Sequence, residues 1–550
     1  MPEAKGAGAG EKPAKTATYD IVIVGAGFAG MYMLHKMRGM GLSAHVYEAG
    51  SGVGGTWFWN RYPGARVDVE SQEYSYSFSP ELEEDWHWSE RYAAQPELLK
   101  YANHVADRFD LRRDISFNTR ITAASYDDHT GLWRIITDHG ETITARFCVM
   151  ATGCLSAAKT PDIPGAGSFT GLTLSTATWP TEGVDLSGKR VGIIGTGSSG
   201  IQTITTIAPD VGELYVFQRT PNFSVPAHNH PLDPAVREDW LANRETYRQQ
   251  QRTSGVGILA VSPREGSALE VSPEEREREF EARWAKGGFC LGAAFQDVGT
   301  DRAANDLLVD FVANKIRGIV KDPDTAEKLI PATYPYGAKR VVVDTGYFEV
   351  YNQDNVHLID LNETPIETIT PTGIRTREGD YELDVLIYAI GFDAMTGALD
   401  RIDIRGRDGQ RLSEKWNAGP VTYLGLMVAG FPNMFLVTGP GSPSVLSNML
   451  MSIEQHVEWI SDCLRDLGER QVTTIEATPE AEAEWVAHVN EVAAGTLYLQ
   501  ANSWYLGANV PGKPRVFMPY VGGAGTYREK CDAVAANDYE GFRLSRSETR

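Results

Sequence analysis

Cysteine is scarce in this 550-residue chain: Cys148, Cys154, Cys290, Cys463 and Cys531 lie far apart and none forms a CxxC pair. That spacing excludes a disulfide framework and a dithiol redox couple. Long apolar runs are missing as well. No stretch approaches the roughly 18 apolar residues that a membrane-crossing helix needs, and Met1-Pro2-Glu3-Ala4-Lys5-Gly6-Ala7-Gly8-Ala9-Gly10 contains no signal-peptide core. The expectation is a soluble, cytoplasmic protein without a membrane partner. Positive charge is also short, at 51 Lys and Arg against 73 Asp and Glu, for a net charge of -22. Such a balance argues against nucleic acid as a partner, and any anionic ligand must be held by a local basic cluster. Arg219, Lys339 and Arg340 are the candidates. No metal-ligand pattern is read.

Glycine, by contrast, is placed with purpose. Gly25-Ala26-Gly27-Phe28-Ala29-Gly30 follows the apolar strand Tyr19-Asp20-Ile21-Val22-Ile23-Val24, and Gly195-Thr196-Gly197-Ser198-Ser199-Gly200 follows Val191-Gly192-Ile193-Ile194. Each opens a helix-like run, so one chain carries two dinucleotide fingerprints. Glycine is required there because the turn is tight and the pyrophosphate must approach unpaired N–H groups at the helix start. After the first, the strand Ala44-His45-Val46-Tyr47-Glu48 ends on an acid, which suits a free ribose 2'-hydroxyl. After the second, Leu214-Tyr215-Val216-Phe217 runs into Gln218-Arg219-Thr220, where an arginine suits a 2'-phosphate. The first site reads as FAD and the second as NADPH.

At this length more than one core is expected. The fold class is α/β, with two Rossmann-like domains and an all-helical insertion in the NADP domain. Strands ending in Ala151-Thr152-Gly153 and Ala389-Ile390-Gly391 form a matched pair of crossings between them. The expected division is a disordered tail over 1–17, an FAD domain over 18–155 and 385–550, an NADP domain over 156–225 and 336–384, and helices over 226–335. Within the insertion, Ser272-Pro273-Glu274-Glu275 is a helix start leading into the solvated charge run Arg276-Glu277-Arg278-Glu279, and Leu308, Val312, Ile316 and Val320 make one apolar stripe.

Between the glycine motifs, Phe169-Thr170-Gly171-Leu172-Thr173-Leu174-Ser175-Thr176-Ala177-Thr178-Trp179-Pro180 resembles the FxGxxxHxxxWP signature of the class B flavoprotein Baeyer–Villiger monooxygenases. Gly54-Gly55-Thr56-Trp57 through Tyr62-Pro63-Gly64 to Asp68 resembles their GGxWxxxxYPGxxxD motif. The resemblance runs from about Tyr19 to Phe542 and favours the phenylacetone and steroid monooxygenase branch. One departure stands out, because Ser175 occupies the signature's histidine position. Serine keeps a short hydrogen bond but not the ring's reach, which puts NADPH handling and coupling in question.

The resemblance implies insertion of one oxygen atom from O2 beside a ketone carbonyl, through NADPH-reduced FAD and a peroxyflavin, to give an ester or lactone. It further implies that Arg340, in Tyr334-Pro335-Tyr336-Gly337-Ala338-Lys339-Arg340, is the catalytic cation beside the flavin, with Asp68 holding it. Gly55, Thr56, Trp57 and Tyr74 would line the flavin, and Arg219, Thr220 and Lys339 the NADP phosphate. Trp504, in Asn502-Ser503-Trp504-Tyr505, would cover the nicotinamide side. Ser442, Val445, Leu446 and Met449 would shape a pocket for bulky aryl, alicyclic or steroid-like ketones. Alternatives are an N- or S-oxygenating flavin monooxygenase and, on the strength of Ser175, an uncoupled NADPH oxidase or redox sensor. The sequence leaves the oligomeric state open, a monomer included.

Overall fold

The computed structural model describes residues 17–546. The segment read as a tail falls outside them except for Ala17, which opens the first strand. Ala17–Val24 is the hub of an eight-stranded sheet, flanked in parallel by Ala44–Tyr47 and Thr142–Met150. Ile21, Val22, Ile23 and Val24 are all buried, as a strand covered on both faces requires. The antiparallel strands Leu132–Thr137 and Ile121–Asp127 extend the sheet on one side, Ile115–Ser116 pairs beside Ala44–Tyr47 on the other, and the late strands Asp403–Arg405 and Met434–Leu436 complete it.

A second, five-stranded parallel sheet runs Val356–Asp360, Glu213–Gln218, Arg190–Ile194, Val385–Tyr388, Leu172–Ser175. The domain boundary drawn at 385 therefore moves. Val385–Tyr388 pairs on both edges inside the second sheet, with Ile387 opposite Ile193 and Leu174, and the chain leaves that sheet only at Ala389-Ile390-Gly391. All four residues of this strand are buried, so its apolar run fits either sheet and only its hydrogen-bonded partners assign it.

Between the strands Ser224–Pro226 and Val342–Asp344 the chain is helical. Pro273–Lys286 is capped by the Ser272 hydroxyl accepting from the Glu275 amide, and Arg302–Ile319 buries Leu308, Val312 and Ile316. These helices share a core with the second sheet. The insertion is not one unit, however. Its first helix, Pro234–Thr253, docks on the first domain, where buried Arg248 pairs with Glu83 and donates to the Ser75 hydroxyl at 2.8 Å.

Two carboxyls close this junction. Glu73 accepts from the Leu259 amide at 2.8 Å and from the Gln251 side chain at 3.2 Å. Glu454, on the helix Met449–Glu469, accepts from the amide and hydroxyl of Ser77, each at 2.6 Å. Burial pushes both up to about 7. The folded protein then holds protons that the unfolded chain has released, so stability falls as pH rises from the ordinary glutamate range to about 7. Each such group contributes a slope of about 1.4 kcal/mol per pH unit across that window. Glu454→Gln keeps an acceptor for Ser77 and is expected to flatten the decline of melting temperature between pH 5 and 8. An unchanged slope would contradict the assignment.

Candidate active site

The helices Phe28–Gly39 and Ser198–Ile207 begin at Gly27 and Gly197 without any side-chain cap and without an acid in the first turn. Several other helices close this end with an oxygen, as Asp301 and Thr478 do, although Gln95–Arg108 and Ala524–Ala536 also begin uncapped. Two helix N-termini are thus left with donors for a phosphate group. The turns are shaped for close approach. A Cβ on Gly30 would lie 1.8 Å from the Gly25 carbonyl, and one on Gly200 2.2 Å from that of Gly195. Gly55, at φ +52°, packs against the backbone of Gly27, bringing the Gly55-Thr56-Trp57 segment over the first turn.

Glu48 is buried just beyond its strand, accepting from the amides of Ala26 and Gly50 at 2.7 Å each. It pins the first glycine turn to the loop that follows its own strand. At the matching place in the second domain Arg219 is exposed, while the Thr196 hydroxyl donates to the Thr220 carbonyl at 3.1 Å. Lys339 lies with its ammonium 4.4 Å over the Tyr334 ring, and burial together with Arg219 pulls it below the ordinary lysine range. Neither cation has a carboxylate within ion-pair distance among the described residues. The donor set fits FAD at the first turn and a 2'-phosphorylated dinucleotide at the second.

Arg340, next in the chain after Lys339, is held by several partners. Its Nε and Nη2 donate to Asp68 Oδ2 at 3.0 and 2.7 Å, and Nη1 donates to the Val445 carbonyl at 2.8 Å. The guanidinium also rests 4.6 Å over the Phe289 ring. Burial opposes its charge, but Asp68, with Tyr505 and Tyr498, outweighs burial and raises its pKa above the ordinary arginine value. A permanent cation is therefore fixed in place with two N–H bonds to spare.

Residues that sequence patterns did not mark hold it there. Fully buried Asn305 exchanges two hydrogen bonds with the Tyr336 backbone, at 2.8 and 3.0 Å. Asn222 donates to the Arg340 carbonyl at 3.2 Å and accepts from the Tyr334 hydroxyl at 2.9 Å. Ser444 takes a left-handed φ of 44° just before Val445, a costly geometry for a non-glycine residue. Its hydroxyl meets Cys154 Sγ at 3.0 Å, which gives that buried thiol a packing role.

Val445, Leu446, Met449 and Trp504 share an apolar cluster with Tyr498, Tyr505, Phe517 and Met518. The Trp504 ring lies tilted against that of Tyr505, with centroids 4.3 Å apart. Ser442 departs from expectation. It is fully buried, its hydroxyl donates to the Gly439 carbonyl at 2.7 Å and its carbonyl accepts from the Tyr520 amide, so it builds the turn instead of lining a pocket. Tyr74 accepts from Trp57 Nε1 at 3.3 Å and meets Phe28 edge-on, placing three aromatics beside the first glycine turn.

The linker signature is built into the second domain. Phe169 packs on the second sheet, Gly171 lies where a Cβ would meet the Asp384 carbonyl at 2.6 Å, and Trp179 is buried in the second core. Ser175 ends its strand opposite Tyr388 and caps the following turn, accepting from the Ala177 amide at 3.3 Å. Its neighbour Thr176 is the residue that reaches the second glycine turn, 3.0 Å from the Ser199 hydroxyl. From the first domain, Gly64, at φ +80°, lies against the helix Ser198–Ile207, where a Cβ would sit 2.1 Å from the Thr206 hydroxyl. Tyr62 adds a 2.9 Å hydrogen bond to Gln202. The YPG turn is thus one joint between the two domains.

Two uncapped glycine turns and a fixed arginine in one chain fit a flavoprotein that draws electrons from a second, phosphorylated dinucleotide. A family model described as pyridine nucleotide-disulphide oxidoreductase matches residues 22–250. The described cysteines are all free and buried, so the disulfide half of that description has no counterpart here. A Baeyer–Villiger monooxygenase from Pseudooceanicola batsensis is 46% identical over 527 residues, covering 95% of this chain and 96% of that protein. The phenazine N-monooxygenase of Lysobacter antibioticus is 43% identical over 96% of this chain and 97% of its own length. The structure of oxidized steroid monooxygenase bound to NADP matches with a TM-score of 0.93 and 53% identity, covering 96% of this chain and all of that one. The chain belongs to the Baeyer–Villiger monooxygenase family. It is an FAD- and NADPH-dependent enzyme that inserts one oxygen atom beside a ketone carbonyl to give an ester or lactone.

Proposed function

We propose that this enzyme oxidises bulky aryl, alicyclic or steroid-like ketones, with Arg340 as the residue that stabilises negative charge on the ketone oxygen. When bound, NADPH supplies electrons to FAD, and reduced FAD with O2 supplies the oxygen atom that enters the ketone. The observation that carries the reading is the arginine itself, held by Asp68 on one side and the Val445 carbonyl on the other beside an apolar cluster. A preorganised cation costs no rearrangement at the moment charge develops, and Asp68 keeps its fork aligned. Arg340 cannot surrender a proton at working pH, so it does not act as the acid.

The preference for bulk rests on the half-buried side chains of Leu446 and Met449 beside Trp504 and Phe517. Apolar contact area then decides which ketone is turned over best. Among phenylacetone, a steroid ketone, a cyclic ketone and acetone, kcat/KM is expected to be lowest for acetone, by about tenfold or more. Acetone as the best substrate would overturn the size reading. The relationship to an N-monooxygenase gives the second reading a specific basis, so phenazine belongs in the same panel. Faster N-oxide formation than ester formation would favour it. A cytoplasmic location accords with five free, buried cysteines.

A further inference from the structure

His456 is fully buried on the helix Met449–Glu469, and no motif marked it. Its Nδ1 accepts from the Thr438 amide at 3.0 Å, while Nε2 lies 2.9 Å from the hydroxyl of buried Tyr527, which donates to the Leu424 carbonyl. These partners fix the ring's tautomer. Nδ1 must be bare to accept, and Tyr527 has given its proton to Leu424, so Nε2 carries the hydrogen and donates it to the tyrosine oxygen. Burial, helped by Arg528, pulls the imidazole down to about 3, which keeps it neutral at any working pH. With both nitrogens committed, the ring is a bracket and not a proton shuttle.

What it brackets is the turn that reaches Arg340. Thr438 takes a left-handed φ of 56°, a geometry that a β-branched residue rarely adopts. Its carbonyl accepts from the Ser444 hydroxyl at 3.3 Å and from Cys154 Sγ at 3.4 Å, so the turn closes on itself. The next residue after Ser444 is Val445, whose carbonyl accepts from Arg340 Nη1 at 2.8 Å. A chain of hydrogen bonds therefore runs from Tyr527 through His456 and Thr438 to Ser444, with all four side chains buried. Away from water each such bond constrains the geometry of the next.

We propose that His456, oriented by Tyr527, is a positioning residue for oxygen insertion: by holding Thr438 it shapes the 438–446 turn so that the Val445 carbonyl meets Arg340. The inference rests on the reading of Arg340 as the cation that stabilises negative charge on the ketone oxygen. Asp68 grips Nε and Nη2, and Val445 grips Nη1. With the carbonyl displaced, the guanidinium keeps its charge and its acid but is free to pivot about Asp68. A shift of about 1 Å in a preorganised group costs up to about 100-fold in rate.

A double-mutant cycle on the FAD-loaded protein, read as ester formation from phenylacetone and as anaerobic reduction by NADPH, tests this. His456→Leu is expected to slow ester formation about tenfold or more while flavin reduction stays near the parent rate. His456→Gln, whose neutral amide offers one acceptor and one donor, should recover most of the loss. Tyr527→Phe keeps the ring in place and should slow the same step by less, which tests the chain even if His456→Leu does not fold. Added to Arg340→Ala, His456→Leu should cost nothing further, because the carbonyl it places has lost its partner. Equal slowing of reduction and ester formation, no recovery in His456→Gln, or the same fold-loss in both backgrounds would each overturn the proposal. If Arg340→Ala alone forms ester at the parent rate, the reading of the arginine falls and the proposal with it. If that variant is slow and His456→Leu slows it further, only the role of His456 falls.

Discussion

Arg340→Ala should yield a protein that folds, retains FAD and is reduced by NADPH without oxygen, yet forms ester at least about 100-fold more slowly. The expected split follows from where the side chain spends its hydrogen bonds. Asp68 and the Val445 carbonyl take three of its N–H groups and leave two uncommitted to either. Removing a single preorganised donor to a developing oxyanion costs about 100- to 1000-fold, and here a full charge goes with it. The loss also leaves Asp68 half-buried without its cation, so Arg340→Lys is a needed companion. Lysine restores charge but not the fork that binds Asp68 and Val445 together, and its rate should fall between the two. Rapid-scanning anaerobic reduction, followed by product analysis in air, separates the steps. Normal product yield from Arg340→Ala would remove the arginine from the mechanism, and a failure of anaerobic reduction would move its role to the electron-transfer half.

The second large effect belongs to Arg219. It is exposed just beyond Glu213–Gln218 and has no carboxylate partner among the described residues. Arg219→Ala is expected to weaken NADPH by about 10- to 100-fold, the range for a hydrogen-bonded charge pair, and to leave NADH little changed because NADH lacks the 2'-phosphate. The reading is a ratio, so general damage to the domain cancels. Thr220, tied through its carbonyl to Thr196, should keep the turn in place without Arg219. Equal losses for both dinucleotides would mean that this strand end does not read the phosphate.

Much of this site can be read from local pattern. A glycine turn after a buried strand is specified within six residues, and Glu48 and Arg219 stand at the ends of the next strands because the unit has a fixed length. Arg340 and Asp68 are 272 positions apart, and the resemblance alone suggested their pairing, which the fold realises. What escaped was set by long-range packing. Val385–Tyr388 is apolar on both faces and carries no mark of the sheet it joins. Arg248, Glu73 and Glu454 look like ordinary surface charges in sequence, and only the docking of Pro234–Thr253 buries them. Gly64 resembles any turn glycine until the helix bearing Thr206 lies against it. Ser442 has a hydroxyl that could face a substrate or its own backbone, and the choice is made by the Gly439 carbonyl.

Ser175 has the plainest structural part of the signature, capping a turn whose next residue touches the second glycine motif. That geometry keeps the linker joined to the NADP domain without a histidine, which is why productive coupling is expected here.

The most direct measurement follows NADPH consumption under 18O2 by the purified, FAD-loaded protein, with phenylacetone, a steroid ketone and a cyclic ketone, together with product mass. The account predicts ketone-stimulated consumption and an ester or lactone carrying one 18O atom. Consumption that ignores every ketone and ends only in hydrogen peroxide would contradict it.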